Sequence, residues 1–327
     1  MMPFTNSKHE ISHRIVVLGA ILLTVSILPS FAYAQQAAAA RKGAGDDRIL
    51  YAPDGWPIHV TYYEAKKTTE PAPVVILLPG AEGREAGSMT RRVWDETAEA
   101  LQRIGFAVVS VDLRKHGDSV PEGDAVPAAR LNRLAAEDYQ AMVLGDLEAV
   151  KNFLIEEHEL KKLNIRKLGI GAAGSSALVA ATFAVNDWAK APWNDAPTPA
   201  ASTPRGQDVR ALLMLSPKSS VRGLNALGTM QAVSSIVPPI AVHVYYSQES
   251  RQEKKSAESL FRPVEPREEG FEEVRRLAPG PASAEGFLKL RSTSGENLME
   301  KNIADFFNHN LKELQDPWRT RVSKLLN

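Results

Sequence analysis

The sequence of 327 residues contains no cysteine. Disulfide bonds are therefore excluded, and so is a lipoprotein anchor, because the acyl chain of such an anchor is attached to a cysteine. An excess of charge of one sign is also lacking, since 39 Lys and Arg residues balance 39 Asp and Glu residues. A nucleic-acid-binding protein usually carries a basic excess, so the sequence predicts no nucleic-acid partner.

A long apolar run occurs at the N-terminus, Ile15–Leu28, and contains 14 residues. That length does not comfortably span ~30 Å of hydrocarbon, which argues against the alternative of an uncleaved membrane anchor. A weakly basic start precedes the run, Pro29 breaks it, and Ala32–Ala34 supplies small residues for a cleavage site. This pattern predicts a signal peptide, 1–34, and export to the periplasm or the medium, with no stable membrane span after cleavage.

The rest of the chain divides by composition. Residues 35–47 form a low-complexity linker of small residues, 48–314 alternate apolar with amphipathic runs, and 315–327 are expected to form a C-terminal tail. The predicted strands are Ile58–Ala65, Pro73–Gly80, Phe106–Leu113, Leu168–Gly171, Arg210–Pro217, Ile240–Tyr246 and Phe287–Thr293. Strands separated by helices predict one α/β domain with a mostly parallel central sheet and helices on both faces, a three-layer sandwich. Ligands in such folds bind at the carboxyl ends of the strands.

Two connections are longer than such a fold requires, Ala189–Asp208 and Gln252–Glu285. The first contains four prolines and a tryptophan, and the second is charged and interrupted by proline. Each is interpreted as a lid or a partner surface, or alternatively as a surface excursion of the kind that loops tolerate.

Three segments, in order, resemble motifs of the α/β-hydrolase superfamily. "LLPGAEG", Leu77–Gly83, is similar to its oxyanion loop, and "DLRKHGDS", Asp112–Ser119, is similar to its D-x-R-G-x-G-x-S turn. "KLGIGAAGSSALVAATFAVNDW", Lys167–Trp188, is similar to the strand, sharp turn and helix that carry its nucleophile. The resemblance covers about 48–314. The segments "GQDVRALLMLSP" and "NDW" also resemble exported, poorly characterised members whose nucleophile turn is degenerate.

The nucleophile turn, called the elbow below, carries a serine in this superfamily, with small residues two positions to either side. Counting from the strand Leu168–Gly171 places Gly174 at the tip, and a glycine has no side chain that could attack a substrate. A rival register places Ser175 at the tip and satisfies the same size rule. Ser175 and Ser176 are otherwise interpreted as helix caps.

The resemblance implies a catalytic histidine between the last strand and the final helix. No histidine lies between Val244 and Asn308, and Ser294 stands near the expected position. A serine hydroxyl has no acid–base function near neutral pH, so Ser294 is a weak candidate.

The other candidates for a triad are also weak. His116 and His243 are the candidates for a displaced base, although a turn position and a strand position favour structural roles for them. Glu249 is the candidate for the orienting acid. Glu82 lies in the oxyanion-type loop and Glu85 just after it, where a carboxylate would oppose a developing oxyanion, so both are expected to point into solvent.

No cofactor or metal is predicted, because the sequence has no H-E-x-x-H and no G-x-x-x-x-G-K-[ST] motif. "GIGAAG", Gly169–Gly174, fits the dinucleotide pattern G-x-G-x-x-G. That pattern belongs to the first strand–helix unit of a domain and needs an acid about 20 residues on at a strand end, so the nucleotide interpretation is a minor one.

Three functions remain. The first is an exported, catalytically inactive protein of this fold that binds a small ligand or an envelope protein. The second is an active serine hydrolase for esters or peptides that uses Ser175 with a displaced base. The third is a structural envelope component that holds a partner through Ala189–Asp208.

Overall fold

The structure is a computed structural model that describes residues 45–66, 68–82, 90–123, 127–266, 270–271 and 273–326. Its centre is an eight-stranded sheet with the spatial order β1-β2-β4-β3-β5-β6-β7-β8. The strands are β1 Asp46–Tyr51, β2 Pro57–Tyr63, β3 Ala72–Leu78, β4 Ala107–Val111, β5 Leu163–Ala173, β6 Val209–Leu215, β7 Ala241–Ser247 and β8 Arg275–Gly280. The pairs β1–β2 and β2–β4 are antiparallel, and every other neighbouring pair is parallel.

Continuous apolar runs form the central strands because both faces of the sheet are covered. Every residue of β3, β4 and β7 is buried. Parallel strands that are buried on two sides lose the polar alternation of half-exposed strands, and these three follow that rule. Strand β1 lies at one edge and alternates exposed with half-buried residues over most of its length.

Helices cover both faces of the sheet, as the three-layer prediction requires. They are α1 Asp95–Arg103, α2 Ala128–Leu131, α3 Ala136–Ala141, α4 Leu147–Glu159, α5 Ser176–Trp188, α6 Ala226–Ser234, α7 Arg251–Phe261 and α8 Leu298–Phe307. One apolar cluster joins the sheet to α4, α5, α6 and α7, and a second joins it to α1 and α8. The predicted α/β sandwich is confirmed.

The end of the sheet differs from the prediction. Phe287–Thr293 was predicted as the last strand, but Ala284–Lys289 forms a 3-10 helix. The last strand is β8, with sequence RRLAPG, inside the stretch interpreted as the excursion Gln252–Glu285. That stretch also contains most of α7. An edge strand with two arginines and a proline lacks the apolar run on which the prediction depended.

The Pro-rich connection Ala189–Asp208 lies between the end of α5 and the start of β6. It is therefore at the amino-terminal edge of the parallel strands, opposite the elbow, and it does not cover the elbow as a lid. The Arg205 guanidinium lies 4.4 Å from the centre of the Trp193 ring. The amide of Trp193 donates to the carbonyl of Thr203 at 2.8 Å, which closes the connection on itself.

The folded part of the chain extends beyond the predicted bounds 48–314 at both ends. Strand β1 starts at Asp46, inside the predicted linker 35–47, and the predicted signal peptide 1–34 lies outside the described residues. In the predicted tail 315–327, Trp318 stacks on His158 with the rings 4.9 Å apart. Among the described residues no helix combines the length and the apolar character needed to cross a membrane.

Candidate active-site elbow and cleft

The elbow joins the carboxyl end of β5 to α5. Gly174 has φ +52°, the left-handed region that favours glycine, whereas Ser175 has an ordinary helical φ of −66°. The Gly174 amide donates to the Leu215 carbonyl at 2.9 Å, and the Gly174 carbonyl accepts from the Lys218 amide at 3.2 Å. The tip of the turn is therefore a glycine held against the carboxyl end of β6.

A carboxylate occupies the space above this glycine. Glu82 Oε1 accepts from the Ser175 amide at 2.8 Å and from Ser175 Oγ at 3.1 Å. Lys218 Nζ lies 3.2 Å from the same oxygen. A Cβ built on Gly174 would overlap that oxygen, so the carboxylate lies where a nucleophilic side chain would begin. The expectation that Glu82 points into solvent is wrong: three donors hold its side chain, which is 21% exposed. Glu85 lies outside the described residues.

A second carboxylate lies next to the first. Glu285 Oε1 accepts from the Gly80 amide at 2.5 Å, and Glu285 is buried. An α/β-hydrolase builds its oxyanion hole from the amide after the nucleophile and an amide of the loop after the third strand. Here the Ser175 amide binds Glu82 and the Gly80 amide binds Glu285. Both types of donor are therefore engaged by the negative charges of the chain itself.

The serines at the start of α5 do not act as helix caps. The Ser175 side chain makes no capping hydrogen bond at this N-terminus, where Glu82 binds the Ser175 amide instead, and Ser176 Oγ donates to the Pro79 carbonyl at 2.6 Å. The Ser176 contact ties the helix to the loop after β3. Tyr139 donates to the Ala81 carbonyl at 2.8 Å from the other side. Burial raises the pKa of Tyr139, and a hydrogen bond with Ser175 opposes that rise.

A polar cleft of about 910 Å³ opens from the elbow. Its walls come from the segment after β6, from α7 and from the start of the 3-10 helix after β8. The lining residues are Glu82, Gly174, Ser216, Pro217, Lys218, Ser219, Ser220, Ser250, Gln252, Glu253, Lys255, Ser256, Glu258, Ser259, Arg262 and Ala284. This set is called the cleft below.

Two lining residues that are not glycine adopt left-handed backbone conformations, Ser216 with φ +45° and Ala284 with φ +44°. The Ala284 amide donates to Ser216 Oγ at 2.8 Å, which joins the two strained positions. Such conformations cost on the order of 1–3 kcal/mol each and concentrate at functional sites. They position Glu285, the residue after Ala284, beneath the loop that carries Glu82.

His116, a candidate base, lies within the turn Asp112–Ser119. Its Nδ1 is 2.9 Å from the Arg114 carbonyl, and its ring is buried. Burial lowers the pKa of His116, and the hydrogen bond to the Arg114 carbonyl opposes that effect. The turn itself is fixed by Asp112, whose Oδ1 accepts from the Arg91 amide at 2.6 Å. These contacts give His116 a structural role in the turn.

The other candidates lie away from the elbow. His243 is the third residue of β7, near the amino end of the strand, with Nε2 3.0 Å from the Glu273 carbonyl. Its ring packs on Phe306 with centroids 4.2 Å apart. Glu249 is exposed in the turn after β7. Ser294 is exposed, with Oγ 2.7 Å from Ser292 Oγ, and it does not occupy the position after the last strand.

The position after the last strand belongs to Glu285, because the last strand is β8. Sequence reasoning missed this residue when it assigned Phe287–Thr293 as the strand. The acid that follows "PASA" would have been noticed if the short run RRLAPG had been accepted as a strand. Lys218 was also missed, because nothing in the sequence indicates that its ammonium reaches Glu82.

The nucleotide interpretation of Gly169–Gly174 does not fit the structure. Gly169 and Gly171 lie within β5, and side chains of Phe307 and Leu77 pack where their Cβ atoms would be. A phosphate-binding turn needs these glycines in the loop. Within the described ranges no group of three or more His, Asp or Glu side chains could hold a metal ion.

No family model and no curated protein matches the sequence. Solved structures match it in fold. A dienelactone hydrolase from Anabaena variabilis shares 14% identity with a TM-score of 0.52, covering 82% of this chain and 99% of that one. An esterase from Pyrococcus furiosus shares 13% with a TM-score of 0.53, covering 82% and 91%. Thermogutta terrifontis esterase 2, phosphorylated by paraoxon, shares 13% with a TM-score of 0.51, covering 83% and 95%.

The chain therefore has the α/β-hydrolase fold, and the resemblance of its three motifs is confirmed at the level of the fold. The strand order, the crossing of β3 and β4 and the position of the elbow after β5 agree with it. Fold does not specify activity, so the function depends on the residues of the elbow and the cleft.

Proposed function

We propose that this protein is an exported, catalytically inactive α/β-hydrolase-fold protein that binds a small ligand in the cleft. The observation that carries the proposal is the position of Glu82, whose carboxylate accepts from the Ser175 amide at 2.8 Å directly above Gly174. The elbow has kept its shape and lost the side chain that performs nucleophilic attack.

Electrostatics support the loss of activity as strongly as the missing nucleophile does. Acyl transfer passes through a tetrahedral oxyanion that backbone amides stabilise, and removing a single donor typically costs 10²–10³-fold in kcat. Here the Ser175 amide already binds a carboxylate, and a second carboxylate, Glu285, engages the Gly80 amide. A developing negative charge at this place would meet two existing ones.

One observation favours the alternative of an active serine hydrolase. Ser175 Oγ lies 3.1 Å from Glu82 Oε1, a distance at which a carboxylate accepts the hydroxyl proton. The same oxygen also binds the Ser175 amide and Lys218, which makes it a structural acceptor. Any attack by Ser175 would still develop negative charge beside Glu82.

A fluorophosphonate probe separates the two functions, because it reacts with an activated serine. We expect no covalent adduct on the purified wild-type protein by intact mass, under conditions that fully label Thermogutta terrifontis esterase 2, which paraoxon phosphorylates. The Ser175→Ala variant is the matched control. An adduct on the wild type that is absent from Ser175→Ala would overturn the inactive assignment.

Export is tested by the N-terminus of the mature protein. When the full chain is produced with its own leader in a Gram-negative host, we expect the periplasmic fraction to contain protein that begins at Gln35. The control is a variant with Ala32→Asp and Ala34→Asp, which removes the small residues at the cleavage site. Protein that starts at Met1 in the cytoplasm would contradict export.

A further inference from the structure

We propose that the cleft binds an oxygen-rich polycarboxylic acid, one carboxylate of which takes the place of Glu82 at the elbow. The inference rests on the ligand-binding part of the proposed function and specifies its ligand class. It depends on the juxtaposition of three features: a carboxylate receptor at the inner end of the cleft, cations without ion-pair partners at its outer end, and a lining without large apolar side chains.

The inner end is already a receptor for a carboxylate. Ser175 supplies an amide at 2.8 Å and a hydroxyl at 3.1 Å, and Lys218 supplies an ammonium at 3.2 Å, all to the single oxygen Glu82 Oε1. Charge-assisted hydrogen bonds of this kind are about twice as strong as neutral ones. A ligand carboxylate that displaces Glu82 would recover the same three contacts, so the exchange leaves no donor unpaired.

The outer end carries unpaired positive charge. Lys255 and Arg262 are exposed in the cleft, and the side chain of neither forms an ion pair or a hydrogen bond with a residue that the structure describes. Of the lining carboxylates, Glu253 Oε2 accepts from the Ser247 amide at 3.0 Å. Glu258 lies 3.9 Å from the Lys254 ammonium. Lys255 and Arg262 are therefore available to pair with an anionic ligand.

The lining selects a ligand that is polar along its length. Its apolar members are limited to Gly174, Pro217 and Ala284, whereas pockets for acyl or aromatic groups are lined mainly by hydrophobic side chains. The hydroxyls of Ser219, Ser220 and Ser259 line the cleft without a hydrogen-bond partner among the described residues. They can donate to ligand oxygens. A molecule with several carboxylates can accept from these hydroxyls, whereas a fatty acyl chain cannot.

Isothermal titration with citrate as the probe tests the proposal. We expect citrate to bind the wild type and to bind Glu82→Gln about tenfold more tightly, since the competing charge is gone while the receptor remains. Lys218→Met should bind about tenfold more weakly. Lys301→Met, on an exposed lysine of α8 outside the cleft, is the matched control and should leave the dissociation constant unchanged.

Acetate and inorganic phosphate are the comparison ligands. Acetate can fill the receptor but cannot reach the outer cations, and phosphate carries charge without the carboxylate geometry, so both should bind at least tenfold more weakly than citrate. Glu82→Asp, which retracts the charge by one methylene, gives a second measurement if Glu82→Gln unfolds, and it should bind citrate more tightly than the wild type.

Three results would overturn the proposal. They are no citrate binding to any folded variant, a citrate dissociation constant that substitution of Glu82 does not change, or phosphate that binds as tightly as citrate does. Each of these leaves the fluorophosphonate result unaffected. Conversely, a Ser175 adduct would refute catalytic inactivity whatever the citrate titration shows. The failure of one proposal is thus distinguishable from the failure of the other.

Discussion

At the scale of the residue, Gly174 controls what the elbow can do. Its φ of +52° is the strained conformation that a nucleophile adopts in this fold, and glycine adopts it without a steric cost. Glu82 then fills the volume that the absent side chain leaves. The two residues depend on each other, because the Glu82 carboxylate occupies the space that a side chain at position 174 would need.

Gly174→Ser should destabilise the protein without creating activity. The new side chain would require a left-handed serine, which costs on the order of 1–3 kcal/mol, and it would overlap the Glu82 carboxylate. Urea unfolding of the single and double variants measures this. We expect Gly174→Ser combined with Glu82→Ala to lose less stability than the two single changes together. Strict additivity would show that the residues do not compete for space.

The residue scale is also where sequence reasoning reached its limit. Counting from the strand placed Gly174 at the bend, because the run of β5 fixes which residue follows it. The direction of the Glu82 side chain could not be obtained in this way, since it depends on Ser175 and Lys218, 93 and 136 positions further along the chain. Contacts that distant are set by the completed sheet.

At the scale of the element, the segment after α8 holds the amino-terminal edge of the sheet together. Arg321 and Lys151 are buried with Asp187 and Asp208, two cations against two carboxylates. The Asp187 carboxylate also accepts from the Asp208 amide at 2.7 Å. This cluster connects α4, α5, β6 and the chain terminus, so the segment 315–326 is part of the domain.

Arg321→Leu should cost about 3–5 kcal/mol in the free energy of unfolding, because it leaves the single cation Lys151 to pair with two buried carboxylates, Asp187 and Asp208. Equilibrium urea denaturation measures the cost. Arg319→Leu is the matched control: Arg319 donates to the Ser202 carbonyl at 2.7 Å in a half-buried position, and its loss should cost at most about 1.5 kcal/mol. Equal losses of unfolding free energy in the two variants would show that the buried cluster contributes no more to stability than a half-buried hydrogen bond does.

Elements differed in how well the sequence predicted them, for a physical reason. β3, β4 and β7 are buried on both faces, so their apolar runs are explicit. β8 pairs with one neighbour, and its residues alternate burial with exposure. An edge strand needs few apolar residues, so RRLAPG resembled a loop. Phe287–Thr293 was therefore predicted as the last strand, and the histidine was expected after it, near Ser294.

At the scale of the whole molecule, two buried histidines should make the fold sensitive to acid. Burial lowers the pKa of His116 and His158 below the usual 6.5. The unfolded chain therefore binds more protons than the native protein as the pH falls through 6.5, and stability is lost there by up to about 1.4 kcal/mol per pH unit for each histidine. Asp146 acts in the opposite direction, since burial raises its pKa to about 6.

A variant comparison isolates one histidine from these opposing effects. His158→Gln should reduce the loss of stability between pH 7 and pH 5 relative to the wild type, as followed by urea midpoints at each pH. A profile for His158→Gln that parallels the wild type would show that His158 does not titrate differently in the two states.

The whole fold was predicted more securely than the site. Alternating apolar and amphipathic runs fix a parallel α/β sheet, because buried strands and half-buried helices differ in period. The cleft was not predicted. Two of its three walls come from α7 and from the turn after β8, mostly within a stretch whose charged composition indicated only a surface excursion.

The pairing of Gly174 with Glu82 has an evolutionary consequence on the proposed function. A serine regained at position 174 would collide with the carboxylate, and removal of the carboxylate alone would leave the turn without a nucleophile. Neither change alone assembles a catalytic site, and a histidine would also be needed after β8, at position 285. On the proposed function, hydrolase activity would therefore require coordinated changes at positions 82, 174 and 285.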